Sequence, residues 1–355
     1  MKRGNFIGMD VHCQFCEIAV LNASGKVVQR TRCATTISTL AEVIEQVPRP
    51  RSLVIEEGPL AGWLWRNLEE LVDDMVVSEP RRNRLISRDG DKDDDLDAEK
   101  LAKLLRGGFV KAVHQCKSLE QAVFKQQVAV YHQRVGQRVR EGHRVASLFR
   151  RHGVMIRERA FVAEADRPAL LVRLPANTAL REMITWLWDS YDAALVEEDR
   201  WRQRLVHLAQ QVEVVQRFQE LPGISWIRGA TLYAYLDTPW RFASKSALWK
   251  YLGIGLLRKR SGNGPEHLGV PLQAHRLLKA TILGAALSAV AQGDNPFAEL
   301  YRRWLEAGLS RQIARRNVAR RLAATLWGLW KNGSAYHPEW VDTAGAASKA
   351  AKESR

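Results

Sequence analysis

The stretch Asp89–Gly108, DGDKDDDLDAEKLAKLLRGG, decides how the rest of the chain is read. Its first half crowds six acids around a single lysine, and its second half has the spacing of an amphipathic helix. Leu101, Leu104 and Leu105 recur at helical intervals on one face, where Ala98 and Ala102 permit close contact. Asp94 and Asp97, three apart near the helix N-terminus, lie side by side where the helix dipole tolerates negative charge. Two carboxylates at that distance repel each other, and a divalent cation is the usual relief. A solvated acidic cap on an ordinary helix has the same local pattern, so the neighbours of this helix decide between the two.

Upstream, Phe6–Asp10 (FIGMD) reads as a strand closing on an acid. Cys16–Leu21 and Val27–Thr31 read as two more strands, joined by the turn Asn22–Lys26. Next come a helix over Ile37–Gln46 and a strand over Ser52–Ile55 that runs into Glu56-Glu57-Gly58-Pro59. A tryptophan-bearing helix over Ala61–Leu71 and a strand over Met75–Ser78 complete the series. The order β-β-β-α-β-α-β with a closing helix is that of a ribonuclease-H-like fold, whose strand ends gather ligands and metals. If the first and fourth strands are neighbours, Asp10, Glu56, Asp94 and Asp97 converge on one end of the sheet. Four carboxylates can hold two Mg²⁺ ions roughly 4 Å apart, which suits phosphoryl transfer. His12 is then a hydrogen-bonded neighbour of Asp10. Cys13 and Cys16, with no second pair to match, read as structural.

Composition points to the partner. The 355-residue chain has 54 Lys and Arg against 39 Asp and Glu, a formal charge of +15 that favours binding a polyanion. At 46% hydrophobic and 26% charged, it suits a soluble, well-cored protein of more than one domain. It contains no apolar run of about 18 residues and no signal-peptide core, so no membrane partner is expected. Four cysteines form no secreted disulfide framework, and the expected location is cytoplasmic and nucleoid-associated.

The middle and C-terminal parts read as mostly helical. Lys117–Arg151 has no proline and carries apolar Val123, Val128, Val130, Val135 and Val139. A second helical block runs over Asn177–Glu220, with a less regular basic stretch, Arg150–Arg173, between the two. A coiled-coil arm or a helical bundle accounts for the pattern equally. Glu220-Leu221-Pro222-Gly223-Ile224 before a small-residue helix (Gly229–Leu236) resembles a helix-hairpin-helix. Gly223 sits in a turn whose N–H groups can meet a phosphate. Gly253–Gly264 (GIGLLRKRSGNG) reads as a flexible basic loop with Ser261 as its one hydroxyl and Arg258, Lys259 and Arg260 beside it. Ser261 is either a nucleophile toward a phosphate or a loop residue that hydrogen-bonds one. Helices over Leu272–Gln292, Asn295–Ala307 and Arg311–Trp330 follow, with Arg315 and Arg316 placed to clamp a backbone. Among the tryptophans, Trp63, Trp186, Trp249 and Trp327 read as core, and Trp226 as a candidate nucleic-acid contact. The expected organisation is 1–115 for the α/β metal-binding domain, 116–218 for the helical connector and 219–337 for the C-terminal domain. Residues 338–355 are an expected disordered tail.

Taken together, these residues resemble the DEDD transposases of the insertion-sequence one-ten family, over about residues 5–335. The family's first acid falls on Asp10 in GMDVH and its glutamate on Glu56 in EEGP. The closing pair falls on Asp94 and Asp97 in KDDDLDA, and the serine of an S-G element after YLG falls on Ser261. This sequence departs from the pattern in having Glu57 beside Glu56, Arg260 where many relatives have a second serine, and Ser225 in place of a glycine. The resemblance implies a RuvC-like N-terminal domain, a coiled-coil middle, and a C-terminal domain that cuts and rejoins DNA through a covalent phosphoserine. It further implies Mg²⁺ (two ions, with Mn²⁺ able to substitute), double-stranded donor and target DNA, and a structured bridge RNA as guide. The active site is expected to be shared between protomers of a dimer or tetramer. Two alternatives stand beside this: a RuvC-like nuclease that uses water and has no need of Ser261, and a nucleic-acid-binding protein without catalysis. Four crowded acids argue against the last.

Overall fold

The computed structural model describes residues 4–80, 94–156, 164–259, 267–269 and 274–341, with backbone alone at 94–96, 257–259, 267 and 268. The chain divides into two compact units, Met1–Leu119 and Glu120–Arg355.

The first unit is built on a five-stranded sheet. Its elements are β1 (Asn5–Val11), β2 (Phe15–Leu21), β3 (Val27–Ala34), α1 (Ile37–Glu45), β4 (Arg51–Glu56), α2 (Ala61–Leu68), β5 (Asp74–Ser78) and α3 (Asp94–Gly107). The spatial order is β3-β2-β1-β4-β5, with β1 antiparallel to β2 and parallel to β4. This mixed α/β arrangement fits the RuvC-like expectation, and the first and fourth strands are indeed neighbours. β3 runs on to Ala34, three residues past the expected end, because Arg32 and Cys33 still pair with Glu17 and Cys16 of β2.

Strand alternation divides the core into two layers. Ile7, Met9, Ile18, Val20, Leu53 and Ile55 pack under α1 and α2 with Leu40, Ile44, Leu64 and Leu68. Phe6, Leu21, Val54 and Val76 face the other way, onto Leu101, Ala102 and Leu105 of α3. Both cysteines of the C-x-x-C are free: Cys13 is exposed, and Cys16 is buried, its thiol beside the Thr35 hydroxyl at 3.4 Å.

An ion cluster fixes α3 over the sheet. Glu99 takes hydrogen bonds from Lys103 one turn on and from Arg30 of β3. Its carboxyl is held below its ordinary 4.5, chiefly by the Lys103 bond, with burial opposing. A depressed carboxylate contributes stability that is present above its unfolded pKa and lost as pH falls through the folded value. The first unit is therefore expected to lose stability as pH falls from about 4.5, and Glu99→Gln to flatten that loss, as read by thermal unfolding across pH.

The second unit is helical. It comprises α4 (Leu119–Arg151), α5 (Arg167–Val172), α6 (Thr178–Gln210), α7 (Glu213–Gln219), α8 (Trp226–Leu236), α9 (Lys245–Tyr251), α10 (Arg276–Gln292), α11 (Pro296–Glu306) and α12 (Arg311–Asn332). The short strands β6 (Leu257–Lys259) and β7 (His267–Gly269) pair antiparallel between α9 and α10. Part of the stretch expected to be a flexible loop is therefore strand. α4 and α6 are 33 residues each, about 50 Å long, and lie antiparallel. Phe124 and Val128 meet Leu205 and Ala209 toward one end, while Val145 and Phe149 meet Ile184 and Trp188 toward the other. Arg138 pairs with Glu198 in between.

Alanines at 285, 286 and 289 on α10 and at 314, 319 and 323 on α12 are buried in the main C-terminal core. Trp327 and Trp249 pack there as expected, but Trp186 is 67% exposed, because Ile184 and Trp188 take the buried face of that turn. Trp226 is half-buried against the α6–α8 contact. Among the described residues, no helix is long and apolar enough to cross a membrane.

Candidate active site

The site begins with a glycine. A Cβ on Gly8 would lie 2.0 Å from the Ala98 carbonyl oxygen and 2.5 Å from the Ala102 nitrogen, so the backbone of α3 rests directly on β1. The helix runs against the strand direction. Near its C-terminal end, Arg106 donates to the Ala23 carbonyl at 3.0 Å, in the β2–β3 turn beside the start of β1. The N-terminus of α3 and the C-terminal ends of β1 and β4 therefore share one end of the sheet. Asp10 is two residues beyond Gly8 along β1, about 7 Å, and Asp94 is four residues before Ala98 along α3, about 6 Å. The two positions reach the same level.

Alternation sets the side. Phe6 faces α3, so Gly8 and Asp10 do as well; Val54 faces α3, so Glu56 does. Met9 pairs with Ile55, which places Asp10 and Glu56 at the same step on adjacent parallel strands. Glu57 lies past the strand, exposed, its N–H donating to the Ser78 carbonyl at 2.9 Å. Between the two glutamates, Glu56 is the one on the Asp10 face. Asp97 is half-exposed on α3, with Lys100 at 3.1 Å. The side chain of Asp94 is outside the described residues; its backbone opens the helix.

The structure adds a residue that the sequence did not single out. Glu17 of β2 is the cross-strand partner of Asp10, and Arg32 of β3 is the partner of Glu17. Arg32, Glu17, Asp10 and Glu56 thus form a row across four strands, on the face covered by α3. The Glu17 side chain is only 8% exposed and sits 3.4 Å from the Arg32 guanidinium. That guanidinium lies over the Phe15 ring at 3.8 Å, and His12 stacks on the same ring while its Nε2 meets Asp10 Oδ2 at 3.0 Å.

Among the described residues, no three His, Cys, Asp or Glu side chains gather as a metal-holding group. What the row offers is an oxygen-only donor set on neighbouring strands with the acidic start of α3 above it. That chemistry fits a hard divalent cation rather than zinc or copper.

In the second unit, Gly223 has φ +81° and is buried between α7 and α8. A Cβ there would meet the Ala285 carbonyl oxygen at 2.2 Å, so close approach to α10 requires a glycine at this position. Arg228 ties the turn down, donating to the Gly223 carbonyl at 2.7 Å and to Ser288 at 2.8 Å. Ser225 caps α8 by accepting from the Arg228 N–H. Arg258 and Lys259 have their backbone in β6, paired with Leu268 and His267. Arg260 and Ser261 lie outside the described residues. Arg315 and Arg316 are half-exposed on α12.

Comparison with known families matches both units. A DEDD transposase model of the IS110 type matches residues 7–153, a span that contains every acid of the row and the start of α3. A second model, the transposase IS116/IS110/IS902 family, matches residues 215–302, from the buried Gly223 turn through the Ser261 segment to α11. No curated protein matches the chain. With a RuvC-like sheet presenting its acids at one end, and two matches from one lineage over most of its length, the chain belongs to the IS110 family of DEDD transposases.

Proposed function

We propose that the chain is the recombinase of an insertion sequence in bacteria, cutting and rejoining double-stranded DNA through a phosphoserine at Ser261. Its family acts by cleaving and rejoining DNA and generally uses divalent metal ions. The single observation that carries the site is the convergence of Asp10, Glu56 and the N-terminus of α3 on one face and one end of the sheet.

In this reading Asp10, Glu56, Asp94 and Asp97 hold Mg²⁺, with Mn²⁺ able to replace it. When bound, the metal supplies positive charge at the scissile phosphate. Lys100 and His12 position two of these carboxylates through their hydrogen bonds. Ser261 Oγ attacks the phosphorus, forming one O–P bond as the bond to the departing sugar oxygen breaks; that oxygen takes up the proton. Attack by a strand hydroxyl reverses the exchange, so rejoining needs no external energy. Arg258, Lys259 and Arg260 flank the serine and favour the charge of the pentavalent phosphate. Arg315 and Arg316 bind nucleic acid, and Gly223 shapes the hairpin turn. A structured guide RNA selects the DNA by pairing while the protein reads backbone and shape. The working form is a homo-oligomer, at least a dimer and a tetramer on paired DNA ends, acting in the cytoplasm.

The test is strand cleavage by full-length protein with Mg²⁺, donor DNA and RNA transcribed from the DNA flanking its gene. Ser261→Ala is expected to lose cleavage by at least about 10³-fold with an unchanged melting curve. Undiminished cleavage by that variant would instead mark a RuvC-like nuclease that uses water.

A further inference from the structure

The second unit holds a cleft that the cutting and rejoining steps do not use, with Arg315, already assigned to nucleic acid, on its wall. Leu287 and Val290 of α10, Tyr301 of α11, and Arg311, Gln312 and Arg315 of α12 line about 450 Å³. Its charges are placed against their own helix. Arg311 is the first residue of α12, where Ser310 caps the N-terminus by accepting from the Ile313 N–H. A helix N-terminus disfavours cations, and Arg311 and Arg315 at i, i+4 repel each other. Neither has an ion-pair partner among the described residues. Arg315 Nε is buried with no hydrogen-bond partner. A buried unpaired donor is costly. An anion in the cleft would relieve both the cationic charge at the helix start and the Arg311–Arg315 repulsion. The opposite wall is apolar and aromatic, with Leu287 left 53% exposed, so the same occupant carries a flat apolar part.

We propose that this cleft seats one unstacked nucleotide of a single strand. The phosphate meets Arg311 and Arg315, and the base lies against Tyr301, Leu287 and Val290. Its volume is within the range of small-ligand sites. Aromatic stacking and a cation pair are the recurring means by which proteins hold single strands without reading duplex sequence. The inference rests on the chain acting on nucleic acid; it does not depend on the serine chemistry.

Full-length protein would be titrated with a short fluorescent single-stranded DNA, the same sequence as RNA, and a blunt duplex. Arg311→Gln with Arg315→Gln is expected to weaken single-strand binding about tenfold and to lower the salt slope by about 0.7, the value for one phosphate, with duplex affinity kept within about twofold. Tyr301→Leu should weaken it by about tenfold, and Tyr301→Phe should restore it. Loss for DNA, for RNA or for both supports the cleft and identifies the strand it takes. Unchanged single-strand binding, or equal loss on duplex, overturns it. Should the arginine variants fail to fold, photocrosslinking of a thio-substituted oligonucleotide to the wild type decides: crosslinks on the Tyr301 peptide support the cleft, and crosslinks confined elsewhere overturn it. Single-strand binding of this kind without any phosphoserine would leave the cleft standing and remove the recombinase chemistry. Phosphoserine with no effect of these variants would do the reverse.

Discussion

Asp10→Asn is expected to reduce strand cleavage by about 10²–10³-fold while leaving the fold intact and its melting temperature equal or higher. Two effects separate here. Asp10 stands directly opposite Glu17 and one step from Glu56, so three carboxylates share neighbouring strands on one face. Strands lie about 4.8 Å apart, close enough for like charges to repel measurably in a partly buried site. Removing one charge relieves that repulsion, whereas the proposed chemistry at a phosphate loses a metal ligand. A functional site held at a cost in stability gives this opposite pair of signs. Cleavage rates and differential scanning calorimetry on the same preparation check both. Loss of activity with a matching loss of stability would mean that Asp10 is a structural strand-end residue.

Gly8→Val is expected to have the largest effect on the first unit. The new side chain would start 2.0 Å from one backbone atom of α3 and 2.5 Å from another. Backbone cannot yield as a side-chain tip can, so α3 must lift by an ångström or more. Overpacking of this kind costs about 1–3 kcal/mol, roughly 5–15 °C in Tm for a unit of this size. The helix carries Asp94 and Asp97, and a displacement of about 1 Å in a catalytic group can cost about 10²-fold in rate. Gly62 provides the control. It lies in α2, where a Cβ would find nothing nearer than the Arg66 guanidinium at 3.5 Å. Gly62→Ala should stabilise slightly, by up to about 1 kcal/mol, with activity unchanged. Equal effects at both glycines would remove the close crossing of β1 and α3 from the account.

Much of the first unit was legible in the sequence, because its signals are local. Alternating apolar residues in FIGMD and in the strand before EEGP, with NASGK as a turn between strands, mark strands whose order fixes the sheet. The pairing of acids across strands was not local. Adjacent Glu56 and Glu57 could not be assigned to a face from the sequence, and the Met9–Ile55 register puts Glu56 on the Asp10 face. Glu17 stood within the apolar run FCEIAVL, where nothing marks an acid as the partner of Asp10. Only the register of the β1–β2 hairpin reveals it. In the second unit, β6 is three residues long and pairs with a segment eight positions away, too short and too distant for periodicity to detect. Ser225 breaks the expected glycine pattern for a local reason, as the cap of α8. The Arg311–Arg315 cleft needs three helices to exist at all, so composition pointed to the arginines but not to the cavity between them.

The proposed mechanism joins Ser261 to DNA with help from acids on another part of the chain. The most direct measurement is mass spectrometry of the protein–DNA adduct. Full-length protein, RNA, donor DNA and Mg²⁺ would be quenched in denaturant, digested with nuclease and protease, and searched for a peptide bearing a nucleotide. The expected result is a nucleotide on the Ser261 peptide, absent after Ser261→Ala and strongly reduced after Asp94→Ala. Cleaved DNA with no modified peptide, or a nucleotide on a different residue, would contradict it.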